Sequence, residues 1–162
     1  HGVVPGTFDQ VTLGHMDVIS RTRKLFPRVT VAVAASVNKR GRGTAFTLEE
    51  RVEMLRQALA EEGLSDVEVL PFTGLLVDFC HGIGALGVVK GLRAMTDFEY
   101  ELQQADLNCH MAPDIESVFV MSNPKYGYVS SSIVREISSM GSDVSSLVPP
   151  CVNQRLREHY CA

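Results

Sequence analysis

Five short apolar runs divide the chain, and between them apolar residues recur at helical spacing. The first run is Val3-Val4, with His1-Gly2 adjoining it. The others cover residues 29–35, 67–72, 86–90 and 117–121. The second, Val-Thr-Val-Ala-Val-Ala-Ala, is almost unbroken, which marks a strand buried on both faces. The spacing predicts a helix over residues 14–26, with Met16, Ile19 and Phe26 inward and Pro27 stopping it. Thr47-Leu48-Glu49-Glu50 is a capping box that opens a second helix. Its apolar stripe is Leu48, Val52, Leu55 and Leu59, and it ends near Gly63. Further helices are predicted over 75–84, from an Asp97 cap to about Met111, and from Ser130 to about Met140. Two short helical pieces, 144–148 and 152–160, flank Pro149-Pro150. Strands alternating with helices imply an α/β fold: a five-stranded parallel sheet, right-handed crossovers and helices on both faces. With no repeat, low-complexity tract or linker, one domain over residues 1–162 is expected.

Composition narrows the function. Of 162 residues, 45% are hydrophobic and 21% charged, and the net charge is −4. A basic nucleic-acid footprint is therefore not expected. Nothing approaches the roughly 18 apolar residues of a membrane span, and no signal peptide is visible. Cys80, Cys109, Cys151 and Cys161 form no C-x-x-C pair and are expected to be free thiols in a reducing compartment. Cys80-His81 and Cys109-His110 are not expected to ligate metal, because helical neighbours point about 100° apart.

The chemistry gathers at the carboxyl ends of the strands, where open parallel sheets bind ligands. After the first run comes Pro5-Gly6-Thr7-Phe8-Asp9-Gln10-Val11-Thr12-Leu13-Gly14-His15: a glycine turn, a hydroxyl and a histidine at a helix start. The loop after the second strand carries Lys39, Arg40 and Arg42. Lys90 and Arg93 follow the fourth strand, and Tyr126, Tyr128 and Ser130-Ser131-Ser132 follow the fifth. Cations and hydroxyls on one rim of an acidic protein make a polyphosphate site. No nucleophile sits with a base, so the chemistry reads as positioning and charge stabilisation of a transferring phosphoryl or nucleotidyl group. Taken singly, each feature has a plainer use: His15 as a helix cap, the basic loop as a solvated surface, one serine as an N-cap. Their joint placement after the correct strands favours function.

Pro5-Gly6-Thr7-Phe8-Asp9, Thr12-Leu13-Gly14-His15, Gly91-Leu92-Arg93-Ala94, Asp97-Phe98-Glu99-Tyr100-Glu101 and Val129-Ser130-Ser131-Ser132 resemble, in order and over nearly the whole chain, the bacterial phosphopantetheine adenylyltransferases. These belong to the T/H-x-G-H nucleotidyltransferases, whose fold is Rossmann-like. The resemblance implies that ATP and 4′-phosphopantetheine give dephospho-coenzyme A and pyrophosphate. Attack on the α-phosphorus is in line, with Mg2+ held mainly through the ATP phosphates. It implies His15 as transition-state stabiliser, with Lys39 and Arg93 beside it. Thr7, Lys39, Leu76 and Lys90 would hold the acceptor; Arg40 or Arg42 could take the role of Lys39. Thr7, Phe8, His15, Gly91, Leu92, Arg93 and Glu101 would hold ATP, closed over by Tyr126, Gly127, Tyr128, Val129, Ser130, Ser131 and Ser132. A cytoplasmic homohexamer inhibited by coenzyme A is also implied. Gln10 and Lys90 occupy positions where that family usually has proline and often has arginine. Two other readings are a sister enzyme using nicotinamide mononucleotide or glycerol phosphate, and a non-catalytic nucleotide or coenzyme A sensor. The Asp97–Glu101 motif argues against the first, and chemically competent residues at every matched rim position argue against the second.

Overall fold

The computed structural model describes residues 1–35, 43–93 and 95–160. Five strands, β1 (Gly2–Gly6), β2 (Val29–Ala34), β3 (Glu68–Phe72), β4 (Gly87–Leu92) and β5 (Glu116–Met121), form one parallel sheet in the order β3-β2-β1-β4-β5. The helices are α1 (Leu13–Leu25), α2 (Leu48–Glu61), α3 (Leu76–Gly82), α4 (Met95–Met111), α5 (Ser131–Ser139) and α6 (Pro150–Tyr160). The predicted α/β architecture is present.

Successive strand residues face opposite ways, and the core divides accordingly. Val4, Val31, Val33 and Val89 join Ile19 of α1, Leu55 and Leu59 of α2, Val134 of α5 and Leu156 of α6 in the larger cluster. Val3, Ala32 and Val88 point the other way, into a smaller cluster with Val77 and Cys80 of α3 and with Ala112 and Ile115 beyond α4.

Several boundaries differ from the sequence reading. Residues 144–148 form a turn, not a helix. The Leu147 N–H closes onto the Val144 carbonyl, while the Leu147 carbonyl accepts the Leu13 N–H instead of continuing a helix. Pro149 and Pro150 have no N–H to extend one, and Pro150 begins α6, a position where proline is tolerated. Gly91 and Leu92 are not loop residues, since β4 pairs with β5 through both of them. Asp97 is no cap: α4 starts at Met95, leaving Asp97 in its first turn, paired to Arg93. Helix α1 starts one residue early, at Leu13, because Thr12 is its N-cap.

Candidate active site

The site starts as a gap in the sheet. β1 pairs with β2 along its whole length, from Gly2 to Gly6. Its ladder to β4 covers only Gly2 and Val3. It stops two residues before Pro5, which has no N–H to donate. Beyond Val3 the strands diverge, and a cleft of about 980 Å³ opens between their carboxyl ends. Strand order reverses between β1 and β4, so this is the crevice where doubly wound sheets take ligands.

One wall is the turn after β1. Phe8 has φ 49°, an unusual backbone for a bulky residue, and its side chain is buried. Its ring folds back over Gly6, where a Cβ would lie 2.9 Å from a ring carbon, so that position needs glycine. Three sets of contacts fix the turn. Arg51 of α2 donates from Nη1 to the Thr7 carbonyl (2.7 Å) and to the Ala34 carbonyl (3.0 Å). The Asp9 carboxylate accepts the Ala45 and Phe46 N–H groups, each at 3.0 Å, and pairs with Arg135 at 3.2 Å. Arg135 also donates to the Asp9 carbonyl, and Ser131 donates to the Gln10 carbonyl.

His15 stands at the end of this turn, taking the N3 place of a capping box where glutamate or glutamine is usual. The Thr12 hydroxyl accepts the His15 N–H, and the His15 Nδ1 accepts the Thr12 N–H at 3.0 Å. With Nδ1 an acceptor, the neutral ring carries its proton on Nε2. Burial, and secondly the Arg93 charge, lower its pKa from 6.5 to about 4. The Phe8 ring sits edge-on to the imidazole, centroids 5.1 Å apart. At neutral pH His15 is thus an uncharged donor held on its far side.

The other wall belongs to β4, α4 and the start of α5. Lys90 pairs with Glu101 at 2.9 Å. Arg93 reaches Asp97 (3.2 Å) and donates to the Val129 carbonyl (2.9 Å), so it links β4 to the segment entering α5. Gly91 is required for packing: a Cβ there would lie 2.6 Å from Val18 of α1. The three serines divide their work. Ser130 caps α5 by accepting the Ile133 N–H, Ser131 ties the first turn, and Ser132 lines the cleft. A helix N-terminus with such hydroxyls suits an anion.

Most residues singled out from sequence meet in this cleft. Thr7, Phe8, His15, Leu76, Lys90 and Gly91 line it, as do Arg93, Glu101, Tyr126, Val129, Ser130, Ser131 and Ser132. Leu92 is buried in the core, Tyr128 is exposed outside the lining, and Gly127 does not line it either. Lys39, with Arg40 and Arg42, lies outside the described residues. The sequence reading missed Arg51, Arg135 and the role of Asp9. Arg51 left a signal, since it falls three residues after Leu48 on the apolar stripe of α2. A charge there is out of place unless it is buried against acceptors.

Among the described residues no three His, Cys, Asp or Glu side chains gather to hold a metal ion. The carboxylates of Asp9, Asp97 and Glu101 are each paired with a basic side chain. That donor set fits a magnesium ion carried by nucleotide phosphates better than a resident one.

The fold and this cleft lined by cations and hydroxyls are those of a nucleotidyltransferase-type protein, and the model of the cytidylyltransferase-like family matches residues 3–137. A solved bifunctional NMN adenylyltransferase/ADP ribose pyrophosphatase from Francisella tularensis shares the fold: TM-score 0.72 at 14% identity, covering 99% of this chain and 49% of that one. The phosphopantetheine adenylyltransferase of Nocardioides sp. (strain ATCC BAA-499 / JS614) is 47% identical over 160 residues, 99% of this chain and 97% of its own. That of Thermobifida fusca (strain YX) is 49% identical over 158 residues, 98% of this chain and 93% of its own. The chain belongs to the phosphopantetheine adenylyltransferase family within the cytidylyltransferase-like proteins.

Proposed function

We propose that this protein, as one nucleotidyltransferase domain over residues 1–162, transfers the adenylyl group of ATP to 4′-phosphopantetheine, a step of coenzyme A biosynthesis. The products are dephospho-coenzyme A and pyrophosphate. The full-length likeness to enzymes of that name supports the choice of acceptor. The observation that carries the chemistry is a neutral imidazole donor in one cleft with Lys90, Arg93 and Arg135, with no nucleophile–base pair beside it among the described residues.

In this reading an oxygen of the acceptor phosphate attacks the α-phosphorus of ATP. The bond from that phosphorus to the bridging oxygen breaks, and pyrophosphate leaves. His15 donates its Nε2–H to the phosphoryl oxygens, whose charge grows in the transition state. An aimed donor of this kind is worth roughly 3–4 kcal/mol. Lys90, with Lys39 of the 36–42 segment, holds the acceptor phosphate, and Leu76 lies along its pantetheine arm. Thr7, Phe8, Gly91, Arg93 and Glu101 hold ATP, with the segment from Tyr126 to Ser132 over its phosphates. Magnesium accompanies ATP and screens the phosphate charges. Bringing two anionic reactants together in line can supply roughly 7–11 kcal/mol of the barrier. The working form is a cytoplasmic homohexamer subject to inhibition by coenzyme A, as the family resemblance implies.

The test is pyrophosphate release from ATP, 4′-phosphopantetheine and magnesium, run beside His15→Ala. Release that requires the acceptor and collapses in the variant is expected. No release with this acceptor, but release with nicotinamide mononucleotide or glycerol phosphate, would move the protein to a sister activity. ATP binding without release from any acceptor would make it a sensor.

A further inference from the structure

Arg51 is a charged group that the reaction scheme above does not use, and it is 2% exposed. It sits on the core-facing stripe of α2, where a leucine or methionine would fill the same space. Among the described residues, its side-chain hydrogen bonds all go to carbonyls. Nε donates to Thr47 (3.3 Å), and Nη1 donates to Thr7 (2.7 Å) and Ala34 (3.0 Å). Thr47 is the N-cap of α2 itself, whereas Thr7 and Ala34 lie at the carboxyl ends of β1 and β2 and line the cleft. Thr7 immediately precedes Phe8, whose positive φ aims the turn at His15. A side chain that only filled the core would not need a planar fork spanning one helix cap and two strand ends.

We propose that Arg51 is a positioning residue for adenylyl transfer. Its guanidinium locks the ends of β1 and β2 together and so fixes the Thr7–Phe8 turn against the His15 imidazole. This rests on the reading of the cleft as an adenylyl-transfer site. Arg51 touches neither reactant; it acts through the backbone of Thr7. Its contribution therefore falls on the chemical step, where small misplacements are costly, more than on substrate affinity.

The experiment compares wild type with Arg51→Lys and Arg51→Met. Active sites are counted by the calorimetric stoichiometry of ATP binding, so that a loss of folded protein does not register as a loss of rate. The expected result is kcat per ATP-binding site reduced about 10- to 100-fold in both variants. KM for ATP and for phosphopantetheine should stay within about threefold. Lysine should not rescue, because it keeps the charge and loses the fork. The proposal is overturned if kcat per site stays within about threefold of wild type, or if the whole loss lies in KM. Should Arg51→Met not fold, Arg51→Lys decides alone. The acceptor assignment fails separately. A wild type inert with phosphopantetheine but active with another phosphate rejects that assignment, and the same kcat comparison with that acceptor still decides the role of Arg51.

Discussion

The two walls of the cleft are built on opposite plans. The turn after β1 is held by buried, mostly backbone-directed bonds: Arg51 to the Thr7 carbonyl, Asp9 to two amides, Thr12 to His15. The wall from β4 and α4 is held by partly exposed side-chain ion pairs, Lys90 with Glu101 and Arg93 with Asp97. Bonds of the first kind have no cheap alternative, because a buried amide or carbonyl left unpaired costs about 1–3 kcal/mol. The more exposed of these pairs, Arg93 with Asp97, is worth about 0–1 kcal/mol and exchanges partners readily. The first wall is therefore suited to positioning, and the second to gripping charged ligands and letting them go.

The sharpest break between the walls comes from His15→Ala. On the positioning wall it should reduce kcat by roughly 10²–10³-fold, with the ATP Kd changed less than about fivefold by calorimetry. Equal losses in rate and affinity would make His15 a gripping residue instead. Next is Asp9→Ala, which orphans two amides and an arginine. Urea unfolding should report about 2–3 kcal/mol of lost stability. This is below the roughly 3–5 kcal/mol of a fully buried pair, because Arg135 is 27% exposed and can reach water. On the gripping wall, Lys90→Ala should raise the acceptor KM about tenfold, near 1.4 kcal/mol, and leave kcat within severalfold. A collapse of kcat instead would show that both walls position. Ser130→Ala removes one N-cap bond and should cost about 1 kcal/mol in thermal or urea unfolding.

Stability also depends on protonation at this site. His15 is neutral in the folded protein down to about pH 4, while the unfolded chain takes up its proton near 6.5. Its contribution is constant above pH 6.5 and falls as pH drops from 6.5 toward 4. Imidazole NMR should show His15 titrating near 4. Arg93→Ala should move that value part of the way back toward 6.5, since burial, the larger cause, remains. An unchanged titration would mean the two walls do not sense each other electrostatically.

The architecture was legible because each strand announced itself as an apolar run and most helices carried a cap or a stop. The gripping wall was legible too, since Lys90, Arg93 and the three serines are polar residues placed after strands. The positioning wall was less so. Asp9 and Arg135 meet across 126 residues of chain, and no local pattern reveals that pairing. The split of the serines into cap, tether and lining depended on Gln10 arriving beside Ser131, again a tertiary fact. The helix expected at 144–148 failed for the same reason, because the Leu147 carbonyl is taken by α1.

The parting of β1 from β4 after Val3 has a consequence for how such a scaffold changes chemistry. The cavity is cut by the main chain, as a pair of compasses is opened by its hinge, so its existence does not depend on which side chains coat the arms. Neighbours can drift to 14% identity and keep the same frame. The coating of the arms can then vary while the opening itself stays set.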